Sequence, residues 1–350
     1  MYSISNVCPG RFNYTDSFVL PDPWCVSTRN SDYIKELVST LNIDFIIAAN
    51  MPYPMMLYNL LALRGQAMII SHYHSSPRLS FTRFNFLDRY SISNRKWFQR
   101  CVFTIQRRLK ASLFVQMCEV SDKVVMLSES YIPELRMFTE VEESKVTAIT
   151  NPMSFKVVDD FWNRKERIVL WVGRIKESEK RISSLLRIWK MASPHMPGWR
   201  LRILGGGEEL ERWKAKAESM GLKDYEFLGF CNPEEYYKTA SIYVMTSNIE
   251  GWPMTLVEAM SYACAPILFD SYASAPEMVD GGKCGILVKP FDDKVFAEKL
   301  VELALDGEKR RLIAEAAFNK VMSYDTDEII DKWYKLFESL SFQNSIGKNE

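Results

Sequence analysis

From Arg167 onward, short apolar runs alternate with amphipathic stretches. The runs RIVLWV (167–172), RLRIL (200–204), YEFL (225–228), SIYVM (241–245), APILF (265–269) and GILV (285–288) predict strands, and 182–192, 208–219, 233–239, 254–263 and 293–304 predict helices. Short apolar runs with helices between them describe a parallel sheet covered on both faces, here a doubly wound domain. The first half repeats the pattern more thinly, with strands over 44–49, AMIIS (67–71), KVVML (123–127) and KVTAI (145–149) and the helix YIPELRMF after the third. The first forty residues show no clear strand–helix pair. Near the end, DEIIDKWYKLFESL places Ile329, Ile330, Trp333, Leu336, Phe337 and Leu340 on one helical face, and the polar last ten residues are expected to fray.

ITNPMSF (149–155) reads as a hinge, because Pro152 forces its neighbour into an extended conformation. The expected division is 1–152, 153–325, and a closing helix with a polar tail over 326–350 that packs back towards the first domain. The fold class expected is α/β, with two Rossmann-like domains. The uncharged stretch Phe45–Leu63 approaches the length of a membrane span. Pro52 and Pro54 break its first half, so it reads as a buried strand, a proline loop and a short helix from about Met55.

Composition narrows the function. Forty-four basic and forty-four acidic residues give a net charge of zero, which argues against a whole-protein grip on nucleic acid. Seven scattered cysteines without a CxxC pair and only three histidines predict neither a disulfide framework nor a metal site. The amino terminus lacks the basic head and apolar run of a signal peptide. These features describe a cytoplasmic protein that works without a metal or other cofactor.

Three motifs could carry chemistry. In SNIEGWPMTLVEAMSYACAPI (247–267), a strand ends in a polar loop, and Gly251 and Pro253 precede a helix beginning near Met254. Such a helix start points N–H groups at the strand's carboxyl edge and suits an anion. Glu250 stands before that helix and Glu258 inside it. An acid beside a phosphate site needs another purpose, such as bonding sugar hydroxyls. In WVGRIKESEKR (171–181), Arg174 and Lys180 follow a strand and Gly173, a planar fork and a point charge suited to a diphosphate. In RILGGGEEL (202–210), three glycines centred on Gly206 permit close backbone approach to a ligand, although a tight strand–helix connection needs them equally.

The order GR…K, LGGGEEL, FLGFCNPEEYY, SNIEGWPMTLVEAM, CGILVKP resembles the retaining family-4 glycosyltransferases (glycosyl transferases group 1) of GT-B architecture, over about residues 120–340 closely and 40–119 loosely. The resemblance implies two Rossmann-like domains facing a cleft and a UDP- or GDP-sugar donor. Its acceptor would be a glycan or lipid-linked glycan in surface polysaccharide synthesis. It implies that Arg174 and Lys180 neutralise the donor diphosphate, that the amides of Met254 and Thr255 cap it, and that Glu250 faces the donor sugar. Glu258 would bond the ribose, and backbone near Phe230 and Asn232 would sit against the base. ISHYHSSP (70–77) resembles the strand end that places a histidine at the donor sugar. Either His72 or His74 could fill that role, and His72 is preferred because it follows the expected strand directly. Family members begin with a strand and a glycine-rich loop, and this chain is expected to start after them. That departure motivates the alternative of a non-catalytic nucleotide-sugar-binding remnant. An epimerase or phosphorylase on a similar fold would lack the EGWPMTLVE arrangement.

One further segment stands out. Residues 78–110 carry nine basic side chains against Asp88 alone, interleaved with aromatics, and Phe98, Val102, Ile105, Leu109 and Leu113 recur at helical spacing. The pattern suits an interfacial helix on an anionic membrane surface, or a solvated basic face over a core helix.

Overall fold

The computed structural model describes residues 2–5, 16–22, 26–49, 54–77, 111–153 and 162–347. Two compact units divide the chain, one of Met1–Ile149 with Trp333–Glu350, the other of Thr150–Lys332. The basic segment 78–110, with its expected membrane-facing helix, lies outside the described residues.

In the first unit, β1 (Tyr2–Ser5) and β2 (Asp16–Val19) pair in parallel as a separate two-stranded sheet. The strands β3 (Phe45–Ala49), β4 (Met68–Tyr73), β5 (Lys123–Met126) and β6 (Val146–Ala148) form a parallel four-stranded sheet in chain order. Ile69, Ile70, Val124, Val125 and Met126 are fully buried in it, the continuous apolar pattern of a sheet covered on both faces.

Contrary to the sequence expectation, the first forty residues do contain a strand and a helix, β2 and Thr28–Thr40. Apolar spacing does not mark this helix, because its buried face is partly polar, with Asn30 and Ser31 beside Val38. The Asn30 side chain exchanges hydrogen bonds of 2.9 Å with the Asp22 backbone, and Ser31 Oγ donates to Asn59 Oδ1 at 3.1 Å. Its start is marked by Ser27, whose hydroxyl accepts from the Asn30 amide at 3.1 Å. β4 also runs further than AMIIS, to Tyr73, so His72 is inside the strand and not the first residue after it.

The stretch Phe45–Leu63 becomes β3 and, from Pro54 to Leu61, a short helix. Among the described residues no helix is long and apolar enough to cross a membrane. The closing helix spans Thr326–Gly347, so helix replaces fraying over most of the last ten residues. Ile329, Leu336 and Leu340 are buried, the Phe337 ring meets that of Phe45 at a tilt of 39° with centroids 4.9 Å apart, and Ile330, expected on the same face, is 43% exposed.

The second unit holds β7 (Glu166–Val172), β8 (Arg200–Leu204), β9 (Tyr225–Gly229), β10 (Ala240–Met245), β11 (Ala265–Phe269) and β12 (Ile286–Val288). All are parallel, in the order β12-β11-β10-β7-β8-β9. The helices Ile182–Ala192, Leu210–Ser219, Glu234–Thr239, Met254–Ser261 and Asp293–Leu305 match the sequence reading closely. Helix Gly307–Val321 was not anticipated, because its buried face is only Ala314, Ala317 and Val321. Its start is capped by Asp306, which accepts from the Lys309 amide at 2.9 Å. The strand order reverses between β7 and β10, and the crevice at the carboxyl ends of two such strands is where open parallel sheets bind ligands.

Candidate functional site

The turns after β7 and β10 meet at this crevice. After Gly173 the chain passes exposed Arg174, buries Ile175, and forms the short helix Glu177–Lys180. Lys180 Nζ lies 2.5 Å from Glu250 Oε1, with the two side chains 18% and 10% exposed. The pairing is enforced by the backbone: Thr246 Oγ1 donates to the Lys180 carbonyl at 2.9 Å, and the Asn248 amide donates to the Glu179 carbonyl at 2.8 Å. Arg174 forms no ion pair with any described residue. Arg181, the residue after Lys180, is left-handed at φ 48°, an uncommon conformation for a side chain with a Cβ. Its guanidinium lies 4.0 Å over the Phe291 ring, a contact that helps hold the break between two helices in place.

The three glycines prove unequal. A Cβ on Gly205, where φ is 133°, would lie 1.8 Å from the Gly173 carbonyl oxygen, and one on Gly207 would lie 2.4 Å from that of Ile175. Both therefore let the turns after β7 and β8 touch, which the Gly173 amide to Leu204 carbonyl bond (3.0 Å) and the Ile175 amide to Gly206 carbonyl bond (2.9 Å) lock together. Gly206 is different, since a Cβ there would only reach the Phe230 Cβ at 3.7 Å. Phe230 itself is 94% exposed. Asn232 uses its side chain to accept from the Glu234 amide at 3.1 Å, opening helix Glu234–Thr239.

Helix Met254–Ser261 starts after Pro253, and the amides of its first turn, Met254 and Thr255 among them, have no acceptor within the helix. The loop before it is pinned by Ser271 Oγ to the Ser247 carbonyl (2.6 Å) and Ser274 Oγ to the Gly251 carbonyl (3.0 Å). Thr255 Oγ1 accepts from Tyr243 Oη at 2.8 Å, and Glu258 Oε2 accepts from Tyr237 Oη at 2.9 Å. Burial pushes both phenols well above their ordinary range, so they stay protonated donors.

Lys165, just before β7, donates to the carbonyls of Tyr237 (3.0 Å), Ala240 (2.7 Å) and Tyr262 (2.5 Å). It thereby fastens the far end of helix Met254–Ser261 and the end of Glu234–Thr239. Burial lowers its pKa, and the Cys264 thiol beside it works the other way. Sequence reading missed Lys165, Tyr237 and Tyr243. The available signal for the two tyrosines was their place beside an apolar run in YYKTASIYVM, since a buried phenol needs a hydrogen-bond partner.

In the first unit, His72 Nδ1 lies 2.9 Å from His74 Nε2, and the His72 ring meets Trp333 edge-on at 5.1 Å. His72 is buried, whereas His74, one residue past the strand, is half-buried. Burial, and then the neighbouring His74, lowers the His72 pKa from 6.5 to about 3, against a smaller opposing effect of the Ile149 backbone; burial lowers His74 as well. The unfolded chain therefore takes up protons first as pH falls below 6.5, and stability present at neutral pH is lost progressively down to about 3. Between pH 7 and 5, urea unfolding should lose about 2 kcal/mol to His72 alone. His72→Asn should remove that part of the slope, and an equal slope in the variant would reject the account.

Among the described residues no three His, Cys, Asp or Glu side chains converge as a metal cluster.

Residues 156–320 match the family model of the glycosyl transferases group 1. An amylovoran biosynthesis glycosyltransferase of Erwinia amylovora is 31% identical over 222 residues, 61% of each chain. A lipopolysaccharide 1,6-galactosyltransferase of Salmonella typhimurium is 27% identical over 231 residues, 62% of this chain and 59% of its own. The chain thus spans about three fifths of the length of these relatives. Among solved structures, Anabaena HepE in complex with UDP superposes with a TM-score of 0.70 at 15% identity, over 92% of this chain and 85% of that one. The fold is that of the GT-B glycosyltransferase structures, α/β with parallel sheets.

Proposed function

We propose that the chain, which carries a glycosyl transferases group 1 domain over residues 156–320, is a retaining glycosyltransferase. Its donor is a UDP- or GDP-sugar and its acceptor a glycan or lipid-linked glycan. The observation that carries this reading is the convergence of Lys180 and Glu250 at the reversal of strand order, where the loop carrying Glu250 leads directly into helix Met254–Ser261. When the bond from the sugar to the diphosphate breaks, the departing phosphate oxygen gains negative charge. Lys180, Arg174 and the amides of Met254 and Thr255 stabilise that charge more than they stabilise the bound donor, which lowers the barrier. Lys180 has three N–H donors, so it can hold Glu250 and a phosphate oxygen together.

Glu250, tied to this cation, bonds sugar hydroxyls rather than acting as a nucleophile. The acceptor hydroxyl attacks from the donor's own face and passes its proton to a diphosphate oxygen. Glu258 bonds the ribose. Backbone beside Gly206, Phe230 and Asn232 receives the base, a reading that the near-complete exposure of Phe230 supports. Fixed cations and the helix end stand in for a divalent metal. The +8 charge of residues 78–110 supports work against an anionic membrane face, each nearby basic residue contributing about 1 kcal/mol.

The test uses the purified chain with UDP- and GDP-sugars in EDTA. Nucleoside diphosphate should be released from one of them, and the chain should sediment with anionic but not neutral liposomes. Donor binding without release in the presence of acceptor glycans would favour the non-catalytic alternative. Release only after adding Mg²⁺ or Mn²⁺ would contradict the metal-free site, and equal sedimentation with both liposomes would remove the membrane.

A further inference from the structure

We propose that Tyr237 is a positioning residue that aims the Glu258 carboxylate at the ribose hydroxyls, an inference that rests on the ribose role given to Glu258 above. Tyr237 is fully buried on helix Glu234–Thr239, 21 residues from Glu258 in sequence, and its Oη donates to Glu258 Oε2 at 2.9 Å. Both ends of the residue are held. Its carbonyl receives Lys165 Nζ at 3.0 Å and the Cys264 thiol at 3.3 Å, while its ring stacks on Tyr262 at 6.1 Å with the planes 9° apart. A phenol fixed in this way cannot follow the carboxylate. The carboxylate must instead settle where the phenol holds it.

Glu258 lies half-buried on a helix face and has rotamer freedom to lose. A carboxylate that bonds two neighbouring hydroxyls must present its oxygens in one plane, and a fixed donor on one oxygen sets that plane before the nucleotide arrives. Lys165 enters indirectly, since it ties the Tyr237 carbonyl to that of Ala240, the first residue of β10, and to that of Tyr262, just past helix Met254–Ser261.

The test is calorimetric titration of the whole chain with UDP, GDP and their 2′,3′-dideoxy counterparts. Tyr237→Phe removes one hydroxyl and keeps the ring. It should weaken UDP or GDP binding about tenfold, the usual worth of one hydrogen bond to a charged group. It should leave the dideoxy nucleotide unchanged and shift KM for the donor sugar while kcat changes less than about twofold. Equal weakening of both nucleotides, or of neither, would overturn the proposal.

Glu258→Gln separates this failure from failure of the underlying assignment. If Glu258→Gln leaves the preference for the ribose hydroxyls intact, Glu258 is not the ribose acid. If it abolishes that preference and Tyr237→Phe does not reduce it, Tyr237 alone is excluded. Should Tyr237→Phe fold poorly, Glu258→Asp provides the second route. Its shortened side chain withdraws from Tyr237 Oη and should show the same ribose-selective loss, and retention of full ribose preference would count against the proposal.

Discussion

Lys180→Ala should lower turnover by about 10²–10³-fold, the scale of losing one preorganised group that stabilises developing charge. The ion pair makes the experiment sharper than an ordinary alanine substitution. Glu250 is 10% exposed in its side chain and faces Lys180 at 2.5 Å, so removing the cation leaves a nearly buried carboxylate without it. Breaking a buried pair from one side costs stability, here roughly 2–4 kcal/mol. Lys180→Ala should therefore lose stability as well as turnover, and Lys180→Ala with Glu250→Gln should recover much of the stability and none of the turnover. Arg174 supplies the contrast. It is exposed and forms no ion pair among the described residues, so Arg174→Ala should reduce turnover on a similar scale with an unchanged urea midpoint. Normal turnover in either single variant would remove that residue from the mechanism.

Gly205→Ala should be the most destabilising single methyl group in the second unit. Its Cβ would sit 1.8 Å from the Gly173 carbonyl oxygen, a backbone atom that cannot rotate away, at a φ of 133° that side-chain-bearing residues avoid. Gly173 is itself bonded through its amide to the Leu204 carbonyl, so relief requires parting the turns after β7 and β8. A loss of more than about 4 kcal/mol is expected, or a fold that no longer binds nucleotide. Gly206→Ala, one residue on, meets only an ordinary contact with Phe230 and should cost less than about 1 kcal/mol. Thermal unfolding of the two variants decides the matter, and similar midpoints would refute the division of the glycines.

The second sheet was legible because parallel strands buried on both faces read as continuous apolar runs. All six appeared within a residue or two of their places, and the motifs fell at their carboxyl ends. The first unit was harder. Thr28–Thr40 hides its inner face behind Asn30 and Ser31, whose burial depends on Asp22 and Asn59 supplying hydrogen bonds from elsewhere in the fold. Helix Gly307–Val321 buries little more than alanines, which leave a weak periodic signal.

Local sequence thus determined which segments become strands and helices, because apolar spacing and capping act over a few residues. It also placed Arg174, Lys180, Glu250 and Glu258 at strand-to-helix turns or helix starts. Strand order decided the rest. Lys180 and Glu250 are seventy residues apart and meet only because β7 and β10 are neighbours at the reversal. The glycines at 205 and 207 show their purpose only against the turn after β7, and Tyr237 shows its own only against Glu258. His72 became a buried neutral ring because β4 runs to Tyr73 and Trp333 packs on it. Contacts of this kind depend on which elements become neighbours, and that is settled when the apolar faces are buried together, not by any short stretch of chain.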